Sequence, residues 1–164
     1  MKNRKRGFSL VELLIVLAVI AALIATITPV ALNAIRKAQA TKVAQNMKTL
    51  AAAIENAAYV NGVQDNKIYR DTTNPLDDST DIVHLGRDIA ADKYGIKYQF
   101  DGTEFRVMVF TNEDVDTSSA LSVLSGLTST NKDSYFSGTT DLYSLGLTDT
   151  TGAELFYYFE FDVY

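Results

Sequence analysis

The sequence predicts an α+β fold, in which one long N-terminal helix lays its distal half on a small antiparallel sheet of about three or four strands. Three observations carry this. The chain is apolar from Leu13 to Leu32, interrupted only by Thr26, Thr28 and Pro29, and alanine-rich helical sequence continues to Asn61. A hairpin pattern occupies residues 96–109. The C-terminal stretch, Leu155 to Val163, is dense in Phe and Tyr and alternates like a strand.

The N-terminal element sets the terms for the rest. Six residues precede Gly7, and four of them, Lys2, Arg4, Lys5 and Arg6, are basic. No charge then separates Glu12 from Arg36. A run of about 20 apolar residues crosses a hydrocarbon core as a helix. Basic residues just ahead of such a span hold that end in the cytoplasm, which places everything after residue 36 outside. Glu12 is the anomaly. A carboxylate inside a membrane helix costs a few kcal/mol unless it meets a partner. The span holds no other charge, so the partner has to come from elsewhere. A cut after Gly7 would leave a positive amine on Phe8, four residues from Glu12. A straight helix does not fold that amine back onto its own Glu12, but a neighbouring copy shifted along the axis supplies one.

The stretch Gly7-Phe8-Ser9-Leu10-Val11-Glu12 resembles the processing site of type IV prepilins and the related pseudopilins, and the resemblance covers roughly residues 1 to 62. It implies a pilin-like fold. It also implies a membrane prepilin peptidase/methyltransferase that cuts after Gly7 and methylates the new amino terminus at Phe8. Glu12 is then the assembly carboxylate, pairing with the amine of a neighbouring subunit. The implied partners are that enzyme, identical or related pilin subunits, the assembly machinery of the inner membrane, and the membrane itself before assembly. The implied places are the cytoplasmic membrane for a single-pass precursor with its N terminus inside, and an extracellular pilus or periplasmic pseudopilus afterwards. A secretory signal peptide fits less well, because its apolar core spans about 7–15 residues and ends in small residues. An ordinary single-pass anchor explains the length but gives Glu12 no role.

Composition agrees with one modest domain outside the membrane. The chain has 164 residues, 47% hydrophobic, with a formal net charge of −5. Without the four leader cations, 11 basic residues face 20 acidic ones, a balance of −9. An acidic body argues against a phosphate-gripping surface over most of the molecule, although nucleic-acid binding stays open for the basic stripe Arg36–Lys48. There is no cysteine, hence no disulfide, thiolate metal site or thiol nucleophile.

In chain order, residues 1–7 read as a leader to be removed, 8–35 as the membrane-spanning and filament-core half of the helix, and 36–61 as its amphipathic half. Residues 62–164 read as an extracytoplasmic head. Pro29 removes the donor that the carbonyl of Ala25 would use, which predicts a kink, with the Thr26 or Thr28 hydroxyl offering partial repair. Arg36, Lys37, Lys42 and Lys48 mark the change of solvent, while Val43, Met47, Leu50 and Ile54 form one apolar stripe. Arg36 and Lys37 suit lipid headgroups and charge pairing between subunits equally. Asn61-Gly62 ends the helix, giving it a span of about 80 Å.

Residues 62–81 read as a loop. Its carboxylates Asp77, Asp78 and Asp81 lack EF-hand spacing, so a solvated loop is expected there and no metal site. A short helix is expected within 80–93, with Ile82, Leu85 and Ile89 inward. His84, the only histidine, has no partner placed by motif to make it a base. Next, Ile96, Tyr98 and Phe100 alternate with Lys97 and Gln99, Asp101-Gly102 supplies a two-residue turn, and Phe105, Val107 and Val109 return. Residues 112–151, rich in Ser, Thr, Asp and Asn, read as a long connection with a helical turn over 120–124. In the last strand Leu155, Tyr157, Phe159, Phe161 and Val163 share one face, with Glu160 and Asp162 on the other. So much aromatic surface suits a central or helix-facing strand.

No phosphate loop, HExxH or GxSxG occurs, so no enzyme and no cofactor is expected. The resemblance implies a structural subunit of a type IV pilus serving adhesion, motility or DNA uptake. A pseudopilin of a type II secretion system is the alternative within the family. A monomeric membrane-anchored binding domain is the alternative outside it.

Overall fold

A computed structural model describes residues 8–87, 89–132, 134–136 and 141–163. The chain divides into two units, one ending at Arg36 and the other beginning at Lys37. Helix α1, Leu10–Asn61, contributes to both.

In the first unit every described residue is exposed. Large apolar side chains such as Leu13, Ile20, Ile24 and Ile27 are about half accessible, so this apolar surface has no partner within its own unit. Among the described residues α1 is the one helix long and apolar enough to cross a membrane. The helix is continuous through Pro29. The Thr26 hydroxyl donates to the carbonyl of Leu23 (2.9 Å) and that of Thr28 to the carbonyl of Ile24 (2.8 Å). Neither reaches Ala25, whose donor Pro29 removes. Each hydroxyl instead folds back three or four residues on its own helix, as short hydroxyl side chains do.

In the second unit the apolar stripe of α1 lies against a sheet. Val43, Met47, Leu50 and Ile54 are all buried, joined by Ala40, Ala44, Ala51, Ala57 and Ala58. Alanine favours helix and lets a sheet approach closely. The helix stops where expected. Gly62 takes a left-handed φ of 85° and its N–H donates to the carbonyl of Ala58 (3.1 Å). Asn61 Nδ2 then donates to the carbonyls of Tyr69 (3.2 Å) and Arg70 (2.6 Å), tying the next loop to the helix end.

The sheet has five antiparallel strands where about three or four were expected. In chain order they are β3 (Tyr94–Phe100), β4 (Phe105–Thr111), β5 (Leu127–Thr128), β6 (Leu142–Gly146) and β7 (Leu155–Phe161). The order across the sheet is β5-β7-β4-β3-β6. A separate hairpin, β1 (Val63–Gln64) with β2 (Lys67–Ile68), occupies part of the expected loop. Its turn residues Asp65 and Asn66 both have positive φ (51° and 63°), the requirement of a type I′ turn.

Pairs along β3, β4 and β7 divide cleanly by face. Ile96 opposes Val109 and Tyr98 opposes Val107, while Val109 and Val107 oppose Tyr157 and Phe159 on the other side. These side chains belong to the core that also holds the α1 stripe. The opposite face is also partly apolar. Phe110, Met108 and Phe156 form a second small buried cluster, with Phe136, Leu147 and Tyr158 packed against it. Strand β7 therefore carries aromatic side chains on both faces. It pairs with β4 over its whole length and with β5 only at Tyr157 and Phe156.

Three further expectations are corrected. Phe100 pairs with Phe105, and the Asp101 N–H donates to the carbonyl of Glu104 (3.1 Å), so the reversal centres on Gly102 and Thr103 rather than on Asp101-Gly102. The Asp101 carboxylate causes the shift, because it accepts from the N–H groups of Thr103 (3.0 Å) and Glu104 (3.1 Å) and pairs with Arg106 (2.9 Å). Within 80–93 the described residues hold one 3-10 turn, Ile82–His84, with Ile82 and Ile89 buried and Leu85 half-buried. A Cβ at Gly86 would lie 2.3 Å from Ile89 Cδ1, so the Ile89 side chain fills the space beside Gly86. Helix α2, Thr117–Val123, begins earlier than expected and follows Asp116, whose carboxylate accepts from the Ser118 and Ser119 hydroxyls.

Candidate functional site

The candidate site is the start of α1. Phe8 and Ser9 precede the helix, and the Leu13 N–H closes its first turn onto the carbonyl of Ser9 (3.1 Å). Ser9 is thus the cap residue, and Glu12 falls three positions later. The first N–H groups of a helix have no partner inside it. Glu12 Oε2 takes one of them, accepting from the backbone N–H of Ser9 at 2.9 Å. This is the acidic half of a capping box. The expectation that Glu12 finds nothing within its own span is corrected to this extent: no opposite charge lies there, but a backbone donor does. The signal, Ser-x-x-Glu ahead of an apolar run, is plain in the sequence.

The other predicted positions are placed as follows. Gly7 lies outside the described residues. Phe8 is 79% exposed, a bare aromatic at the head of an exposed apolar helix. Pro29 lies inside α1, which runs through it without interruption. Glu12 forms none of the ion pairs among the described residues.

The acidic loop is occupied with its own structure. Asp77 accepts from the N–H and hydroxyl of Ser79 (3.1 and 2.6 Å) and pairs with Lys67 (3.4 Å). The Ser79 hydroxyl and the loss of water hold opposing influence on its carboxyl, and the net result lies below the ordinary range. Asp78 accepts from the N–H of Ser144 (2.8 Å), covering a backbone donor of strand β6, which lies at the sheet edge. Asp81 accepts from Val83 (3.2 Å) and so caps the 3-10 turn. Among the described residues no group of three or more His, Asp or Glu side chains could hold a metal ion. His84 ends that turn, beside Leu85 and the α1 residues Ala57 and Val60.

Tyr98 performs a purely structural task that the sequence did not signal. Fully buried, it donates its hydroxyl to the carbonyl of Leu76 and accepts from the Ile68 N–H (3.3 Å), fastening β2 and the loop after it to the sheet. Burial pushes its hydroxyl far above the ordinary phenol range.

Residues 2–28 match the family profile described as the prokaryotic N-terminal methylation motif. No curated protein and no solved structure matches the chain. The profile match spans the basic leader, Gly7-Phe8, Glu12 and most of the apolar run, and it indicates a type IV pilin- or pseudopilin-like prepilin. The motif implies processing by a prepilin peptidase and assembly into pilin multimers, and with the apolar helix it fits a membrane-anchored precursor. It points to a structural protein rather than an enzyme.

Proposed function

We propose that the chain is a structural subunit of a type IV pilus, cut after Gly7, methylated at Phe8 and polymerised through α1. The observation that carries this reading is the pairing of the methylation motif with the wholly exposed apolar stretch of α1. Such a surface is stable in lipid, and in water only when buried against other apolar surfaces. A bundle of sister helices replaces lipid without returning that surface to water. On this reading residues 1–7 are the leader, 8–35 the filament core, 36–61 the helix that carries the head, and 62–164 the head itself.

Glu12 then does two jobs in succession. In the precursor it caps its own helix through Ser9. After cleavage its charge meets the Phe8 amine of a neighbouring copy. A charge pair in a dry setting sets register more than affinity, because removing either member strands the other.

Mass spectrometry of the N-terminal peptide from filaments sheared off intact cells tests the proposal. An abundant peptide beginning at N-methylated Phe8 is the expected result. The mature peptide confined to the cell envelope would assign the chain to a secretion pseudopilus or to a scarce minor subunit instead. An intact Met1 leader in both fractions would overturn processing and return the chain to the class of single-pass anchored binding domains.

A further inference from the structure

Tyr94 opens strand β3 and is only 2% exposed, yet the hydrogen-bonding capacity of its hydroxyl is only partly used. The oxygen accepts from Asn46 Nδ2 (3.2 Å), while its hydrogen has no acceptor among the described residues. Burial, opposed by the Asn46 bond and aided by the nearby Glu113 charge, raises this hydroxyl above its ordinary pKa, so it remains a donor. Asn46 is also partly used, because its Oδ1 accepts from no described residue. Buried polar groups are ordinarily hydrogen-bonded, and an unfinished pair such as this one is completed by whatever enters beside it.

Both residues line a cavity of about 300 Å³ that lies wholly within the second unit. That volume sits at the lower end of ligand clefts, about 300–1,000 Å³. The lining is graded in polarity. Its two most buried residues, Tyr94 and Val43, carry no charge, and the half-buried Asn46 and Val115 add an amide and a second apolar wall. The charges stand further out, with Lys42 and Asp114 exposed and Glu113 half-buried. Asp92, exposed, and Lys93, half-buried, immediately precede Tyr94 in the chain. Charges of both signs therefore surround the mouth, and neither sign dominates it.

An ion entering this cavity would exchange water for a hydroxyl, an amide and two valines, a cost that outer charges of mixed sign do not offset. A neutral hydroxyl group meets no such cost. One hydroxyl can accept from Tyr94 and donate to Asn46 Oδ1, completing both groups at once. Further hydroxyls find acceptors in Glu113 and Asp114 and a donor in the Gln39 amide. A face of C–H groups suits Val43 and Val115. Several hydroxyls around a compact ring with an apolar face describe a sugar. We propose that this cavity binds one neutral monosaccharide ring, with a ring hydroxyl held between Tyr94 and Asn46. The site belongs to the second unit alone and stands whether or not the chain polymerises.

The test uses the full chain in dodecyl-dimethylamine-oxide micelles, whose head groups carry no sugar. Glucose, galactose and mannose are titrated in turn while the side-chain amide signals of Asn46 and Gln39 are followed by nitrogen–proton NMR. At least one sugar is expected to shift both signals with saturation in the millimolar range, as suits a ligand of so few atoms. Glucosamine and glucuronate place a positive or a negative charge on the ring of glucose, and both are expected to bind more weakly than the best neutral sugar. Tyr94→Phe keeps the aromatic ring, removes the free donor and is expected to weaken binding about tenfold. Glu113→Gln alters the outer wall without touching the core and is expected to weaken binding severalfold.

Saturable shifts from none of the three neutral sugars would overturn the proposal. Tighter binding of glucosamine or glucuronate would do the same, as would binding that survives both substitutions unchanged. If Tyr94→Phe does not fold, Glu113→Gln decides alone, and unchanged binding in that variant rejects the site.

Discussion

Glu12 is better placed than a lone carboxylate in a membrane helix has any right to be, because Ser9 gives it a backbone donor at 2.9 Å. Two roles thus meet on one side chain, the helix cap that the structure shows and the charge partner proposed above, and the choice of substitution separates them. Glutamine keeps an oxygen that accepts from the Ser9 N–H, since Gln serves in capping boxes as Glu does. It removes only the charge. Alanine removes both. If the charge sets assembly, Glu12→Gln and Glu12→Ala lower filament yield to a similar extent, while cleavage after Gly7 stays normal in both. If the cap sets it, Glu12→Gln assembles normally and only Glu12→Ala fails. We expect the first pattern, read from sheared-filament yield together with the mass of the mature chain in the membrane fraction.

Among the elements, the distal half of α1 has the strongest claim on the stability of the head. Its stripe residues Met47, Leu50 and Ile54 are fully buried against strands brought together from distant parts of the chain. Truncating one leaves a cavity that a helix docked on a sheet closes only in part. Leu50→Ala is therefore expected to cost about 2–5 kcal/mol. Urea unfolding of the detergent-solubilised chain, followed by tyrosine fluorescence, measures it as a lower midpoint at unchanged slope. A loss under about 1 kcal/mol would show that this contact is not what holds the helix to the sheet.

The same stripe shows which elements were legible in the sequence. Long periodic patterns were: α1, the β3–β4 pair and the inward face of β7 all repeat often enough to fix their orientation. Short elements were not. Strand β5 has two residues and β6 has five, of which Ser144 and Gly146 carry little strand preference, and both are specified by pairing with longer neighbours. Hairpin β1–β2 did leave a signal in Asp65-Asn66, but its flanking strands are too short for alternation to show. The second apolar face of the sheet was hidden because Phe156 and Tyr158 share it with Glu160, and the charge dominated the reading. At the helix start Ser9-x-x-Glu12 carries the capping signal, but a carboxylate in an otherwise uncharged span calls first for an opposite charge, and a backbone donor leaves no charge in the sequence.

At the scale of the whole molecule the acidic surplus is used as structure, and this makes the head sensitive to acid. Asp71 accepts from the N–H groups of Thr73 and Asn74 (both 3.0 Å) and from their side chains, which shapes the loop between Tyr69 and Pro75. The Thr73 N–H is the chief cause that holds its carboxyl well below the ordinary range. Asp101 at the β3–β4 turn is lowered first by the Glu104 N–H, Asp116 ahead of α2 by the Ser119 hydroxyl, and Asp149 by the Thr151 N–H. A carboxyl whose folded pKa lies below its unfolded one stabilises the fold above the unfolded value, near 3.9 for Asp, and that contribution is lost as pH falls through the folded value. Several groups shifted in this direction act together. The stability of the head is thus expected to hold steady from pH 7 to about pH 5 and to fall progressively below pH 4. Thermal midpoints taken by near-ultraviolet circular dichroism across that range test it, with Asp71→Asn and Asp101→Asn together flattening the decline. A midpoint that rises as pH drops would mean that relief of repulsion among the carboxylates outweighs the turns they hold, and that the acidic surface is tolerated for solubility rather than used for structure.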